Sequence, residues 1–440
     1  MSQKAWPIKR IFYPVLAKLH NGSGALLLLP PILVVTLALG CGASTERASV
    51  PAGQPPRSDA VSNIVVPAGQ PIIIGISETL TGSEAPAGTE DRDAVVTSVM
   101  RWKAAHGDQV KGHEIEIHAE DDGCTESEIT KQAAERLLRT PGLVGVLGPG
   151  CSAGAKEAIP RYSRAGIVTI SGSATESDLT TGQPAGGFFF RTSYRSELQG
   201  AIGGQFVAET LQAKTAYLID DGESYGQDLI EAARKAMEAG GVTVTRASIN
   251  RGDVDFSAIT EKIAQDSPDF VGFGGFNPEA VLLYRQLRDA GYGGPFGAGD
   301  AAASISTFVE PVGAEAAEGV YFVGCPLTLP DDFITDFEKV HGGEPDSSAF
   351  TAQYADATTV LLDSLAAVAQ EQPDGSLLID PAALQQSVSQ ANLMDGISGH
   401  VTFDANGDRS TDATDLSEQA RDLGLTACQV NNGEFLILFP

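Results

Sequence analysis

The 440-residue chain is long enough for two or three domains, and 42% hydrophobic residues give ample material for packed cores. Its formal charge of −28 repels phosphate backbones and argues against nucleic acid as a partner. Lys4, Lys9, Arg10 and Lys18 fall in the first forty residues, which hold no acid, so the remainder is more acidic still.

The start reads as an export signal over residues 1–40: a basic region, then an apolar run from Ala25 to Leu39 ending at Gly40-Cys41. Pro30 and Pro31 interrupt that run, which argues against a permanent membrane-spanning helix. Leu37-Ala38-Leu39-Gly40-Cys41 resembles the lipobox of bacterial lipoproteins, with Ala38 and Leu39 in the reverse of the usual order; cleavage as a plain signal peptide is the alternative. The chain has five cysteines, at 41, 124, 151, 325 and 428, and an odd one in an exported protein needs an explanation. A lipid on Cys41 leaves four for two disulfides in any of three pairings. Cys124–Cys151 is favoured, because each follows a predicted strand end in one β-α-β-α run, and Cys325–Cys428 remains.

Residues 41–70 are rich in Ala, Ser, Gly and Pro and read as a disordered tether. A strand over Ile72–Ile76 opens the folded part, followed by a turn at Thr79–Ser83 and a helix over about Asp91–Ala105. Glu84 to Glu90 reads as an acidic turn on exposed surface, a ligand with extra positive charge being its other use. A strand over His113–Ala119, a helix over Glu126–Arg139 and a strand over Leu143–Leu147 continue the alternation. A second series restarts at Thr215–Ile219, with further strands at Val242–Ala247, Phe270–Phe273, Pro295–Ala298 and Val320–Val323 and helices between them. Ten or more parallel strands in one sheet would be unusual, so the two series predict two α/β lobes. Beyond Pro326 the chain is mainly helical, strongest over Thr351–Ala369 and Pro381–Ala391, and ends in strand-like pieces at His400–Phe403, Thr426–Val430 and Phe435–Leu438.

The first series converges on Gly148 to Thr175. There a strand leads through Gly148 and Gly150 to Ser152 at the mouth of a helix, and the next strand leads into the hydroxyl-rich turn Ser171–Thr175. Helix N-termini carry unpaired N–H donors and partial positive charge, and ligands sit outside the carboxyl ends of parallel strands. The stretch therefore reads as a site for the carboxylate of a small molecule. In the second series Tyr225 and Phe276 each follow a strand closely and should face the crevice, with core packing as the alternative. Asp300, after Gly299 at another strand end, could hold a cation or cap the next segment.

Other motifs carry less. Gly150-Cys151-Ser152-Ala153-Gly154 fits the nucleophile elbow of α/β hydrolases, with His341 and His400 downstream, but no oxyanion loop precedes it. Gly148 to Ala153 fits a loose dinucleotide fingerprint after the wrong strand, and Arg251-Gly252-Asp253 is an adhesion tripeptide of common loop residues. Asp404, Asn406 and Asp408 are spaced as in a calcium loop but lack flanking helices and the closing glutamate, so an Asx-rich hairpin turn is expected, with no metal and no cofactor.

Glu120-Asp121-Asp122-Gly123-Cys124, Gly148–Ser152, Ser171–Thr175, Arg191-Thr192 with Gln199-Gly200, Ser224-Tyr225-Gly226, Asp255-Phe256-Ser257, Gly274-Gly275-Phe276 and Phe403–Gly407 follow in this order. In that combination the chain, from about Ile72 onward, resembles the type I periplasmic binding proteins of branched-chain amino acid ABC transporters. The resemblance implies an α/β fold of two doubly wound parallel-sheet lobes, joined by three crossovers near Thr192, Cys325 and Asp404. Its lobes would be 71–193 with 327–404, and 194–326 with 405–440. It implies that Ser152, Thr175 and the backbone around Ser173 hold an α-carboxylate, that Asp300 takes the α-ammonium, and that Tyr225 and Phe276 close on the ligand from the second lobe. The family's first cysteine pair matches Cys124–Cys151. The chain departs from the family in small residues near Ala87, in Asp300 for Glu and in Phe276 for Tyr.

The expectation is thus an exported, lipid-anchored, monomeric solute receptor. It performs no chemistry, binds an amino acid or related small carboxylate, and delivers it to a membrane permease. The alternatives are a ligand-sensing receptor domain for amides, peptides or aromatic acids, and a serine hydrolase using Ser152.

Overall fold

A computed structural model describes residues 62–181, 187–346 and 348–439. The signal segment, most of the tether and Cys41 lie outside the described residues.

Two sheets carry the fold. The first has six strands in the order Gln109–Val110, His113–Asp121, Ile72–Glu78, Leu143–Leu147, Val168–Ser171 and Phe189–Arg191. All its pairings are parallel except that of the short Gln109–Val110 edge. Strands in the middle of such a sheet are covered on both faces, which explains why Ile72–Glu78 and Leu143–Leu147 are unbroken buried runs. The second has seven, in the order Glu434–Phe439, Ala427–Asn431, Tyr321–Val323, Phe296–Ala298, Phe270–Gly274, Thr215–Asp220 and Thr243–Ser248. The five strands of the expected parallel sheet gain an antiparallel edge: the last two strands of the chain form an antiparallel hairpin, joined antiparallel to Tyr321–Val323.

The first core joins Ile72, Ile74 and Ile76 to Val95 and Val99 of the helix Ala85–His106 and to Val360, Leu361 and Leu365 of the helix Thr351–Val368. The second centres on Val271, Phe273, Leu283, Tyr284, Phe308 and Phe322. The chain passes between lobes after Phe189–Arg191, after Tyr321–Val323 and after Gly399–Thr402. These passages are tied together. Arg191, fully buried, bonds Asp408 at 2.5 Å and the carbonyls of Ala174 and Glu176, while Arg409 reaches back to the carbonyl of Thr192 at 3.2 Å. Cys325–Cys428 ties the second passage to the strand Ala427–Asn431 with an S–S bond of 2.09 Å. Ala420, Leu423 and Leu425 pack into the first core although they follow Asp404.

Two local expectations change and a third holds. Ile64–Val66, inside the stretch read as tether, is a strand paired antiparallel with Leu377–Ile379; its β-branched residues bury Val66 against the first core. The helix expected from Asp91 begins at Ala85, with Pro86 in the first turn, where its missing N–H costs nothing. The Asp404–Asp408 segment is the expected Asx turn: Asp404 Oδ1 accepts the N–H of Asn406 at 2.8 Å and of Asp408 at 3.0 Å.

Candidate functional site

The carboxyl ends of the first lobe's central strands meet at one buried carboxylate. Asp122 accepts hydrogen bonds from Ser77 Oγ (3.2 Å), Thr79 Oγ1 (3.1 Å), Cys124 N (3.1 Å) and Gly150 N (3.4 Å). The disulfide Cys124–Cys151, with Cα atoms 5.0 Å apart, clamps the same two strand ends. Gly148 and Gly150 make this junction possible. Gly148 has φ +114°, and a Cβ there would lie 2.1 Å from the carbonyl oxygen of Ser77. A Cβ on Gly150 would lie 2.1 Å from Glu78 Oε2. The backbone at 148–150 therefore lies directly against the end of the neighbouring strand and opens into the helix Ser152–Arg164.

Beside this junction is a cavity of about 610 Å³, its mouth included. Its lining contains all six of the ligand-binding residues expected from the sequence: Ser152, Ser173, Thr175, Tyr225, Phe276 and Asp300. The first-lobe wall is polar. Ser152 is the first residue of its helix, whose leading N–H groups lack intrahelical partners, and its Oγ accepts the N–H of Glu176 at 3.1 Å. Ser173 Oγ donates to the carbonyl of Gly150 at 2.8 Å and lies 3.0 Å from Tyr354 Oη. The second-lobe wall is aromatic with one acid. The Tyr225 and Phe276 rings are 5.8 Å apart and tilted by 59°. Asp300 sits where the strand Phe296–Ala298 ends, 5% exposed, and accepts from Tyr194 Oη at 2.9 Å. Burial pushes its carboxyl up to about 6, against the lowering by the hydroxyl and amide donors around it. The buried Tyr225 hydroxyl is one of these donors.

Several lining residues are absent from the sequence-based set. Glu84 and Glu90 are not exposed surface. Glu90 is fully buried, its Oε2 accepting the N–H of Asp346 at 2.9 Å. Glu84 lines the cavity and receives Arg251 Nη2 at 2.7 Å. Arg251 also bonds Glu279 at 2.9 Å and lies over the Phe276 ring, 4.2 Å from its centroid. The arginine of the unpromising Arg251-Gly252-Asp253 tripeptide thus spans the cleft from the second lobe to a first-lobe carboxylate. Glu78 and Asp91 complete the first-lobe lining. Their signal in the sequence was weak: one acid at a strand end and one inside an acidic helix start, brought together only by packing.

The hydrolase arrangement does not assemble. His341 Nδ1 is 2.8 Å from Asp93 and His400 Nε2 is 2.6 Å from Asn392, so neither histidine serves Ser152. Among the described residues there is no cluster of metal-ligating side chains. Nor is any helix among them long and apolar enough to cross a membrane.

The family model described as periplasmic binding protein matches residues 71–420. The leucine-, isoleucine-, valine-, threonine- and alanine-binding protein of Pseudomonas aeruginosa is 27% identical over 350 residues, covering 77% of this chain and 87% of that protein. Among solved structures, a leucine binding protein from Thermotoga maritima superposes with a TM-score of 0.70 at 23% identity, covering 83% of this chain and 97% of that one. An ABC transporter solute binding protein from R. palustris in complex with benzoate gives a TM-score of 0.68 at 19% identity, covering 84% and 96%. Two α/β lobes, a cleft lined from both, and a match over most of the length lead to one assignment: the chain belongs to the periplasmic binding protein family, a family of solute binders rather than catalysts.

Proposed function

We propose that the chain binds an α-amino acid, or a closely related small carboxylate, between its two lobes and hands it to the permease of an ABC transporter. One observation carries this reading: a single cavity sets strand-end hydroxyls and a helix N-terminus on one wall against a buried, otherwise cation-free carboxylate on the other. That pair suits a zwitterion. Ser152, Ser173 and Thr175 with the helix N-terminus take the α-carboxylate, since such donors stabilise anions. Asp300 takes the α-ammonium, and Tyr225 and Phe276 cover the ligand from the second lobe. The amino acids that the Pseudomonas aeruginosa relative is named for binding, all neutral, support the same class. Closure gains from any ligand that binds the closed form better than the open one, and this difference is what a permease can read.

In this reading the lobes are 71–193 with 327–404 and 194–326 with 405–440, the receptor works as an exported monomer, and a lipid on Cys41 holds it at the membrane. A sensor that reports the same ligand to another receptor uses the same site. Titration calorimetry with L-leucine, 4-methylpentanoate and isopentylamine tests the assignment. Only the first carries both charged groups, so it should bind at least a hundredfold tighter than the other two. Equal binding by 4-methylpentanoate would remove Asp300 from its role and move the ligand to plain carboxylic acids.

A further inference from the structure

The cavity's first-lobe end holds charge that an α-amino group and an α-carboxylate leave unused. Glu78 and Asp91 both line it, and both are buried, at 1% and 4% exposed. Asp91 accepts one bond, from Ser348 Oγ at 2.6 Å. The Glu78 carboxyl takes hydrogen bonds from the Tyr354 hydroxyl and the Thr79 N–H, while its buried Oε1 has no partner. The other acids nearby are already served: Asp122 has its four donors, and Glu84 has Arg251. No lysine or arginine lines the cavity. Ala87, Ala349 and Phe350 add apolar surface to the same lining.

An ionised carboxylate is buried at high cost unless it is paired. Burial and the charges of Asp91 and Asp122 hold Glu78 well above the usual carboxylate range. Burial and the charge of Glu90 act on Asp91 in the same direction. A ligand that brings its own cation to this end lets both groups ionise and pairs the vacant oxygen of Glu78. We infer that the ligand carries a second cationic group, an ammonium or guanidinium at the end of its side chain, received by Glu78 and Asp91 opposite the Asp300 site. Ala87, Ala349 and Phe350 in the same lining offer apolar contact to the methylene stem of such a side chain. This inference rests on the amino-acid reading above and narrows it to basic amino acids.

The test is titration calorimetry of the full-length chain at neutral pH with L-lysine, L-ornithine, L-arginine, L-glutamine and L-norleucine, the last being lysine without its distal ammonium. At least one basic amino acid should bind tenfold or more tighter than norleucine and glutamine. In the Glu78→Gln/Asp91→Asn double variant that ratio should fall at least tenfold, with norleucine binding itself reporting that the variant folds. The wild-type ratio alone decides the matter if the variant is unstable. Norleucine or glutamine binding as tightly as every basic amino acid overturns the inference and leaves the amino-acid reading standing. Binding of no α-amino acid overturns both.

Discussion

The two walls of the cleft are built by different means. On the first-lobe wall, Ser152, Ser173 and Thr175 come from two consecutive strand ends within one short stretch, so chain order and spatial order agree. Across the cleft, Tyr225, Phe276 and Asp300 come from three separate strand ends, and their surroundings are completed by Tyr194 and Arg251 from elsewhere in the chain. One wall presents backbone donors whose positions are set by the fold. The other presents side chains whose charge and tilt are set by neighbours. Substitutions that press on backbone should therefore damage folding, and substitutions that disturb ligand-facing side chains should damage affinity.

The largest effect expected is on the second wall. Asp300→Ala should weaken binding of an α-amino acid by about 2–5 kcal/mol, because it leaves a buried ligand ammonium unpaired; calorimetry reads this directly. On the first wall, Gly148→Ala should cost about 2–4 kcal/mol of stability, since it combines a left-handed φ with a Cβ 2.1 Å from the backbone oxygen of Ser77. Denaturant unfolding would show it. Gly150→Ala is the sharper comparison: its Cβ meets only the far end of Glu78, so the fold should tolerate it while ligand affinity falls. If both alanines destabilise equally, the distinction between backbone and side-chain contact at this junction fails. Arg251→Ala should cost about 0.5–1 kcal/mol of affinity, seen as faster ligand release in stopped flow, because it removes the bridge between Glu84 and Glu279 while leaving the proposed ligand contacts in place.

Asp300 also gives the second wall a pH dependence. Its folded-state value of about 6 lies above the ordinary 3.8. Its contribution to stability is therefore present below about pH 4 and lost as pH rises through about 6. Asp300→Asn should raise the melting temperature of the ligand-free protein by a few degrees at pH 7 and change it little at pH 4. Ligand affinity runs the other way, since the ammonium needs the ionised carboxylate, and should fall as pH drops below about 6.

The same contrast sets what the sequence could reveal. Strands Ile72–Glu78 and Leu143–Leu147 are visible as apolar runs bounded by turn residues, and the glycines and hydroxyls after them mark a ligand-facing crevice. Asp300 is visible as an acid directly after a strand-ending glycine. The Glu78–Asp91 pair is not visible, because its two acids sit on a strand and a helix and meet only when Gly88 and Gly150 allow close packing. The bridge from Arg251 to Glu84 spans 167 residues, and no local pattern encodes it. The helix start at Ala85 was hidden for a similar reason: its acidic first turns look solvated until packing supplies Arg251, Ser348 and Thr351 as partners.

In the proposed binding mode a zwitterion is held between the walls with Asp300 on its ammonium. A thermal-shift comparison of the wild-type chain and Asp300→Asn, across the α-amino acids and their deaminated counterparts, tests it most directly. A ligand at a hundredfold excess over its Kd stabilises the folded state by about 2.7 kcal/mol, which is readily measured. A clear shift is expected with at least one α-amino acid, none with its deaminated counterpart, and loss of the shift in Asp300→Asn. A shift of equal size in the variant, or one produced by the deaminated acid alone, would contradict it.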